Sequence, residues 1–573
     1  MLANSTLLGS LSPKLVEELL TIAESVRVHA QDWLFVQGDH ADRLYLVLSG
    51  RLRVVVEGED GEDGARVLRV LGPGSALGEL AVLTGERRSA SVQAVRDSEL
   101  LEVDAGRFHE LLERNAELGL GLATALAHQL QDSGGLREVD AAPSVIAVTA
   151  AGGVSVDRIW HELDTAFRYL GSTIAVEEAW PGPERSPRGD WGSRLAELER
   201  DHGHVLLRAA GLGSAWRDFC LRQADRVVVV AGDTAPERGE VPAGSDVVFL
   251  DVPTPALVAS WRAHAAPRAH HVLSAGDDVG DAARRIARRL TGRSLALVLS
   301  GGGARAFAHI GVLEVLAEER LPIDRVGGTS MGALLGALVA LGWEPERMRE
   351  TCEREISRRA PFSDYTVPRH ALIRARRAES LLRRLFGDSC LEQLSVPLFT
   401  VSADLVSARM VVHKTGPLWQ TVGSSMAIPG LAPPISQDEQ LLIDGGVLNN
   451  LPIDVMAGEE AGPILAVDVM RRLTADDLRV PTRSGLPTIL ETLSRATVLG
   501  SVERAEANRR LATLVIAPDV QDVSLRDFRH LGRAVEAGRR AAEAALSGGG
   551  REELASALTG ASERPLTAVV THA

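Results

Sequence analysis

Gly328-Thr329-Ser330-Met331-Gly332 lies between the strand-patterned segment Ile323 to Val326 and the helix-patterned run Ala333 to Leu341. This order places Ser330 on a strand-to-helix elbow and makes it a candidate nucleophile. Such an elbow crowds the flanking backbone, which glycine tolerates at Gly328 and Gly332, and it aims the hydroxyl from a helix N-terminus that favours negative charge. In a chain with 55 glycines the five-residue pattern can arise by chance, so its meaning rests on what surrounds it.

Two further stretches supply that context. Upstream, the apolar strand Leu295 to Leu299 runs into Ser300-Gly301-Gly302-Gly303-Ala304-Arg305, and a helical pattern through Ile310, Leu313 and Leu316 follows. Consecutive glycines let backbone N–H groups face an oxyanion without side chains in the way. Downstream, Leu441-Leu442-Ile443 leads into Asp444-Gly445-Gly446, a strand end that presents one carboxylate beside small residues. Each stretch alone reads more simply as a turn. In the order Gly-loop, serine elbow, Asp-Gly-Gly, they read as a hydrolase site.

This constellation resembles the patatin-like phospholipases, in which a Ser/Asp dyad cleaves lipid acyl esters without a catalytic histidine. The likeness continues through Val401-Ser402-Ala403-Asp404, Trp419, Ser424-Ser425-Met426-Ala427-Ile428-Pro429 and Asn449-Asn450-Leu451-Pro452, and so spans roughly Ser294 to Val469. Within that family the chain is most similar to the neuropathy target esterase group, which joins the hydrolase to a cyclic-nucleotide-binding-like module. The resemblance implies Ser330 and Asp444 as the dyad, and Gly301, Gly302, Gly303 and Arg305 as the oxyanion-hole motif. Gly328 and Gly332 fall in the elbow motif, and Gly445 and Gly446 in the Asp-Gly-Gly motif. One position departs from the family pattern: Ala306 stands where a glycine is usual. Alanine is a small change there if φ is negative and a strained one if φ is positive.

Asp444 would then take the Ser330 proton as the serine attacks an ester carbonyl, and N–H groups around Gly302 and Gly303 would hold the oxyanion. Arg305 either shapes the loop or offsets its charge. A carboxylate with an ordinary pKa near ~4 is a poor base for an alcohol, which leaves much of the rate to oxyanion stabilisation. Neither His309 nor His413 stands in a distinctive motif, and both are expected to be structural. No catalytic cofactor and no metal site are expected.

The amino-terminal third carries strand-like alternation at Arg43 to Leu48, Arg51 to Val56 and Arg66 to Val70, with Gly50, Gly58 to Gly61 and Gly72-Pro73-Gly74 as turns. Leu77-Gly78-Glu79-Leu80-Ala81 and Arg87-Arg88-Ser89-Ala90-Ser91-Val92 come next. Their order resembles the phosphate-binding cassette of cyclic-nucleotide-binding domains, over roughly Leu7 to Asp132. That likeness puts Glu79 on the ribose hydroxyl of cAMP or cGMP and Arg88 on the cyclic phosphate, with Gly78, Ser89 and Ala90 completing the site. Carboxylate to hydroxyl and guanidinium to phosphate are sound pairings. The competing reading is a module that keeps the fold and binds no nucleotide. Phe108 to Gln131 reads as capping helices.

A transcription regulator would continue into a basic helix-turn-helix. This chain instead passes through a linker, Asp132 to Pro143, into alternating strand and helix patterns at Val145 to Val148, Val156 to Leu170, Val205 to Leu207, Val227 to Val230 and Val247 to Leu250. Gly152-Gly153 is the one phosphate-loop candidate there, without a dinucleotide fingerprint. The expected fold is therefore multidomain α/β. It comprises an N-terminal β-roll plus helices (1–135), a middle doubly wound, Rossmann-like α/β connecting domain (144–291), a patatin-like α/β hydrolase domain (294–469), and a C-terminal helical extension with a frayed tail (470–573).

With 573 residues and a formal charge of −15, the chain has room for several cores and is a poor nucleic-acid binder. Lys14 and Lys414 are its only lysines, a sign of codon bias rather than of phosphate affinity. The arginine-rich run Arg374 to Arg384 is either a solvated helix face or a lipid-docking one. Cys220, Cys352 and Cys390 fit a reducing compartment. No stretch approaches the ~20 apolar residues of a membrane span, so the expected location is cytoplasmic or peripheral at the inner membrane face. Pro417-Leu418-Trp419 and Ala427 to Ile435 could rim an apolar entrance or pack in the core. The reading is a serine esterase of phospholipids or lysophospholipids. Its rivals are a non-catalytic lipid-binding or cyclic-nucleotide sensor protein disabled at Ala306, and an acyl transferase.

Overall fold

The computed structural model describes residues 12–30, 32–56, 66–115, 118–119, 144–177, 191–211, 213–237, 239–273, 278–459, 461–470, 500–559 and 569–572. The expected linker at 132–143 and the stretch that follows Met470 lie outside these residues. The chain forms two compact units, Met1–Val230 with Gly239–Asp246, and Ala231–Arg238 with Val247–Ala573.

In the first unit, six strands form one sheet: β1 (Ala23–Val28), β2 (Trp33–Phe35), β3 (Arg43–Val56), β4 (Arg66–Leu71), β5 (Ala76–Leu77) and β6 (Ser91–Asp104). β6 pairs antiparallel with β1, β2 and β3, and β3 with β4 and β5. Gly50, expected to be a turn, lies inside the single long strand β3. Its φ of +96° and a site where a Cβ would meet the Ser98 backbone mark an irregularity in the β3/β6 ladder, because only glycine allows that approach. The helix Ala105–Arg114 follows, N-capped by Asp104, which accepts from the N–H groups of Gly106 and Arg107. The same unit holds β7 (Val145–Ala151), β8 (Thr173–Val176) and β9 (His204–Arg208), and β10 (Arg226–Ala231) reaches its boundary. β9 runs parallel to both β7 and β8.

The second unit begins around β11 (Asp246–Phe249) and β12 (Ala269–Val272), and a nine-stranded sheet dominates it. Its strands are β13 (Ala296–Leu299), β14 (Arg325–Thr329), β15 (Leu398–Asp404), β16 (Arg409–His413), β17 (Ile435–Gln437), β18 (Gln440–Asp444), β19 (Ile464–Val467), β20 (Leu514–Ala517) and β21 (Val569–His572). The order is β17-β18-β15-β14-β13-β19-β20-β21, with β16 also on β15. β13, β14, β15, β19, β20 and β21 are parallel to their neighbours in this series, while β16 and β18 run antiparallel to β15. Parallel strands need both faces covered, which accounts for the continuous apolar runs at 296–299 and 464–467.

Met331-Gly332-Ala333-Leu334-Leu335-Gly336-Ala337-Leu338-Val339-Ala340 carries no charge, and nearly all of its side chains are buried. A helix apolar on every side belongs in the core, and this one anchors the elbow rigidly. The C-terminal region departs from expectation. The helices Leu531–Ala545 and Arg551–Thr559 are joined through Leu546–Gly550, where Gly549 takes φ +102°, so the three glycines form a kink between packed helices rather than a fraying end.

Leu335 is fully buried in this core. Leu335→Ala removes a packed side chain beneath the elbow and is expected to destabilise the second unit by about 2–5 kcal/mol, measured as a lowered urea midpoint of its unfolding transition.

Candidate active site

Strand register brings the three sequence stretches together. Leu299 at the end of β13 lies opposite Gly328 in β14, so the Gly-loop and the elbow leave the sheet side by side. Thr329 pairs with Val401 in β15, and Ser402 pairs with Asp444 at the end of β18. The antiparallel turn-back of β18 thus delivers a carboxylate to the carboxyl end of the parallel strands.

Ser330 Oγ donates a 2.6 Å hydrogen bond to Asp444 Oδ2. The other carboxylate oxygen, Oδ1, accepts from the Gly446 N–H at 2.8 Å. Ser330 takes φ +56° and ψ −125°, a conformation costing on the order of 1–3 kcal/mol for a residue with a side chain. The surroundings hold it there. Its N–H donates to Ser425 Oγ at 2.9 Å, and that hydroxyl donates to the Val401 carbonyl at 2.6 Å. At Gly332 a Cβ would run into the carbonyls of Leu299 and Ser300, so the elbow can seat against the Gly-loop only with glycine there.

Within the Gly-loop the N–H groups have separate fates. Gly301 N–H donates to the Asn450 carbonyl at 3.1 Å, and Ala304 N–H to the Leu525 carbonyl at 2.8 Å. Gly302 and Gly303 donate to nothing among the described residues. Gly303 has φ +54°, and a Cβ there would strike the Leu525 carbonyl. Arg305 Nε donates to the Val523 carbonyl at 2.8 Å, so this arginine ties the loop to the segment 523–525. Ala306 is fully buried and is not among the residues with positive φ, so its side chain adds no backbone strain.

Among the described residues no histidine is bonded to Ser330 or Asp444. His309 Nε2 lies 2.9 Å from the Ser300 carbonyl, and burial lowers its pKa to about 4. His413 sits in β16 opposite Thr400, likewise lowered to about 4 by burial. For Asp444 the expectation of an ordinary pKa is corrected. Burial raises it to about 6, while the bonds from Ser330 and Gly446 pull downward.

Ser330 opens into a cavity of about 820 Å³, within the usual range for a ligand site. Met331, Leu334, Phe362, Leu382, Met426 and Leu431 are among its apolar walls. Of the expected rim, Trp419 and much of Ala427 to Ile435 line it, while Leu418 is fully buried. Arg374, Arg526 and Arg529 also reach the cavity. Sequence reading missed Ser425 as a support for the nucleophile, and it missed the whole 523–529 segment, which has no motif to announce it.

In the amino-terminal unit Arg88 is buried. Its Nη2 donates to the Arg43 carbonyl at 2.6 Å and its Nη1 to the Gly78 carbonyl at 3.2 Å, with the guanidinium 4.2 Å over the Phe35 ring. Gly78 takes φ +81° and Glu79 opens a short helix, but the Glu79 side chain lies outside what is described. Ser89 is exposed and Ala90 buried.

Among the described residues no cluster of metal-ligand type occurs, and no helix is long and apolar enough to cross a membrane.

Residues 297–457 match the patatin-like phospholipase family, and residues 25–115 match the cyclic nucleotide-binding domain. An NTE family protein of Mycobacterium tuberculosis is 33% identical over 95% of this chain and 96% of its own length. Patatin-like phospholipase domain-containing protein 7 of Mus musculus is 30% identical over 79% of this chain and 38% of that relative. Lysophospholipase nte1 of Aspergillus oryzae is 29% identical over 81% of this chain and 36% of the fungal protein. The chain thus spans little more than a third of the length of these last two.

The raised Asp444 pKa has a definite pH signature. With Asp444 acting as the base of an ester hydrolysis, kcat/KM should fall about tenfold per pH unit below a midpoint near 6, because a base must be unprotonated; a midpoint near 4 would contradict the burial argument. The unfolded carboxyl ionises near 4, so the cost of burying its charge appears as pH rises from about 4 to about 6 and is complete above that. Asp444→Asn should therefore raise thermal stability at pH 8 by about 1–3 kcal/mol while abolishing turnover.

Proposed function

The chain belongs to the NTE family of patatin-like phospholipases, and we propose that it is a serine esterase hydrolysing acyl esters of phospholipids or lysophospholipids. The observation that carries this reading is the 2.6 Å bond from Ser330 to Asp444 at the wall of a large apolar cavity. Asp444 takes the Ser330 proton as Oγ attacks the ester carbonyl. The N–H groups of Gly302 and Gly303, which donate to no described residue, are placed to stabilise the oxyanion. The tetrahedral intermediate expels the alcohol, which recovers the proton from Asp444, and leaves an acyl-serine. Water activated by the same carboxylate then releases the fatty acid. With a pKa near 6, Asp444 is a stronger base than an ordinary carboxylate and remains largely ionised at pH 7.

Arg374 and Arg526 favour a phosphate-bearing substrate over a neutral one. Arg374 Nε donates to Thr366 Oγ1 and Arg526 Nη2 to the Tyr365 hydroxyl, and neither pairs with a carboxylate among the described residues. Arg529, by contrast, is held by Asp527. Two guanidiniums with spare donors beside apolar walls suit a head-group phosphate above an acyl chain. Exposed Tyr365 and Val367 sit on the same loop, which supports peripheral contact with a lipid surface. The non-catalytic alternative loses its premise, since Ala306 carries no positive φ.

Ser330→Ala should abolish hydrolysis, and a fluorophosphonate probe should label the wild-type chain at Ser330; labelling at another serine would sink the assignment. The double change Arg374→Ala, Arg526→Ala should lower the ratio of kcat/KM for a lysophospholipid over a monoacylglycerol of equal chain length by about tenfold or more.

For the amino-terminal unit we propose a β-roll regulator that binds cAMP or cGMP, and for the middle segment a doubly wound connecting domain. Nucleotide binding requires Arg88 to exchange the Arg43 and Gly78 carbonyls for the cyclic phosphate. Calorimetry on the whole chain should register cyclic nucleotide, with Arg88→Lys weakening it about tenfold or more because a point charge replaces a paired donor. Absence of heat at millimolar nucleotide would leave the module structural.

A further inference from the structure

A second cavity, of about 90 Å³, lies in the same unit at the opposite end of β14 from Ser330. Arg325, the first residue of β14, is on its wall, whereas Ser330 follows the last, a separation of roughly 16 Å along the strand. Facing this space are Arg262, Arg268, Arg289, Arg325 and Lys414, and one carboxylate, Glu459. Glu459 is already shared by three of the five cations: Lys414 Nζ at 3.0 Å, and Arg289 and Arg325 at 3.4 Å. Arg262 has no carboxylate partner among the described residues.

Arg325 cannot turn to water for relief. Its side chain is 1% exposed, with Nε bound to Ser294 Oγ and Nη2 to the Ser294 carbonyl. Burial lowers its pKa to about 10, Glu459 opposing that fall and neighbouring Arg289 adding to it. His270 also lines the cavity; burial lowers its pKa to about 4, so it adds no charge at neutral pH, and its Nε2 lies 2.9 Å from the Glu392 carbonyl. Leaving Arg268 aside, the cavity wall carries four cations, Arg262, Arg289, Arg325 and Lys414, against the single carboxylate of Glu459. Concentrated like charge in a partly desolvated space favours a counter-ion.

We infer that this cavity binds a small oxyanion, as inorganic phosphate or the phosphate of a monoester. Guanidinium groups present paired donors that match paired oxygens, which favours an oxyanion over chloride. Five donor-only side chains repel a metal ion. The volume suits one tetrahedral anion and is too small for an acyl chain, which separates this site from the cavity at Ser330.

The test uses the full chain in a buffer free of phosphate and sulfate, with chloride holding ionic strength constant. Calorimetric titration with inorganic phosphate should give saturable heat. Arg262→Glu, an exposed position, places a carboxylate in the cavity and should weaken that binding at least tenfold. Arg374→Ala and Arg88→Lys, at the other two guanidinium sites, should leave it within twofold. Glycerol 3-phosphate displacing inorganic phosphate would show that a monoester is accepted; failure to displace it would restrict the site to the free ion. The proposal is overturned if phosphate gives no more heat than chloride, if Arg262→Glu binds as the wild type does, or if Arg374→Ala removes the heat. It is also overturned if neither small anion binds and only vesicles of anionic lipid retain the chain through these cations, since the residues would then form a docking face. None of these outcomes depends on whether Ser330 hydrolyses a lipid.

Discussion

A carboxylate buried against a serine hydroxyl is the constraint around which the carboxy-terminal unit is arranged. Among the described residues Asp444 has two hydrogen-bond donors, Ser330 Oγ and the Gly446 N–H. Two bonds do not replace full hydration, and the pKa near 6 records the shortfall. In the proposed reaction that cost is useful, because an aspartate in water would be a weaker base for an alcohol. The sheet makes the arrangement possible. Parallel strands place the Gly-loop and the elbow at one edge, and the antiparallel return of β18 brings Asp444 to the same edge.

Rigid supports follow from the same demand. A serine at φ +56° returns to ordinary geometry unless its neighbours prevent it. Ser425 holds its N–H, and an uncharged, buried helix behind it leaves no slack. The Gly-loop is restrained from farther away in sequence. Leu525 and Val523 accept from Ala304 and Arg305, and the same region supplies Phe528 and Arg526 to the cavity. These residues lie beyond the segment 297–457 that matches the hydrolase family, so the chain following that match is part of the site.

Arginine does different work at different places in this protein, and its surroundings decide which. Arg88 binds two carbonyls through its Nη atoms and lies over an aromatic face. Among the described residues, the Arg374 and Arg526 side chains hydrogen-bond only to hydroxyls, beside an apolar cavity. Arg325 is buried in a cluster where one glutamate serves three cations. With lysine almost absent from the composition, residue type alone does not distinguish these roles.

The sequence by itself carried the motifs from which the site is proposed: the elbow serine, the Gly-loop, the Asp-Gly-Gly turn and the cassette order. These were legible because tight turns and close approaches demand glycine at set spacings, and such local demands are written in consecutive residues. It also determined that the chain is multidomain α/β, through runs whose apolar period changes from strand to helix. It misread Gly50 as a turn and Gly548 to Gly550 as a frayed end, because glycine signals backbone freedom without saying what approaches it. Only the tertiary structure decided the pKa of Asp444, the grip of Ser425, the reach of residues 523–529 and the inward turn of Arg88. Each depends on desolvation or on partners distant in sequence, and a linear pattern carries neither.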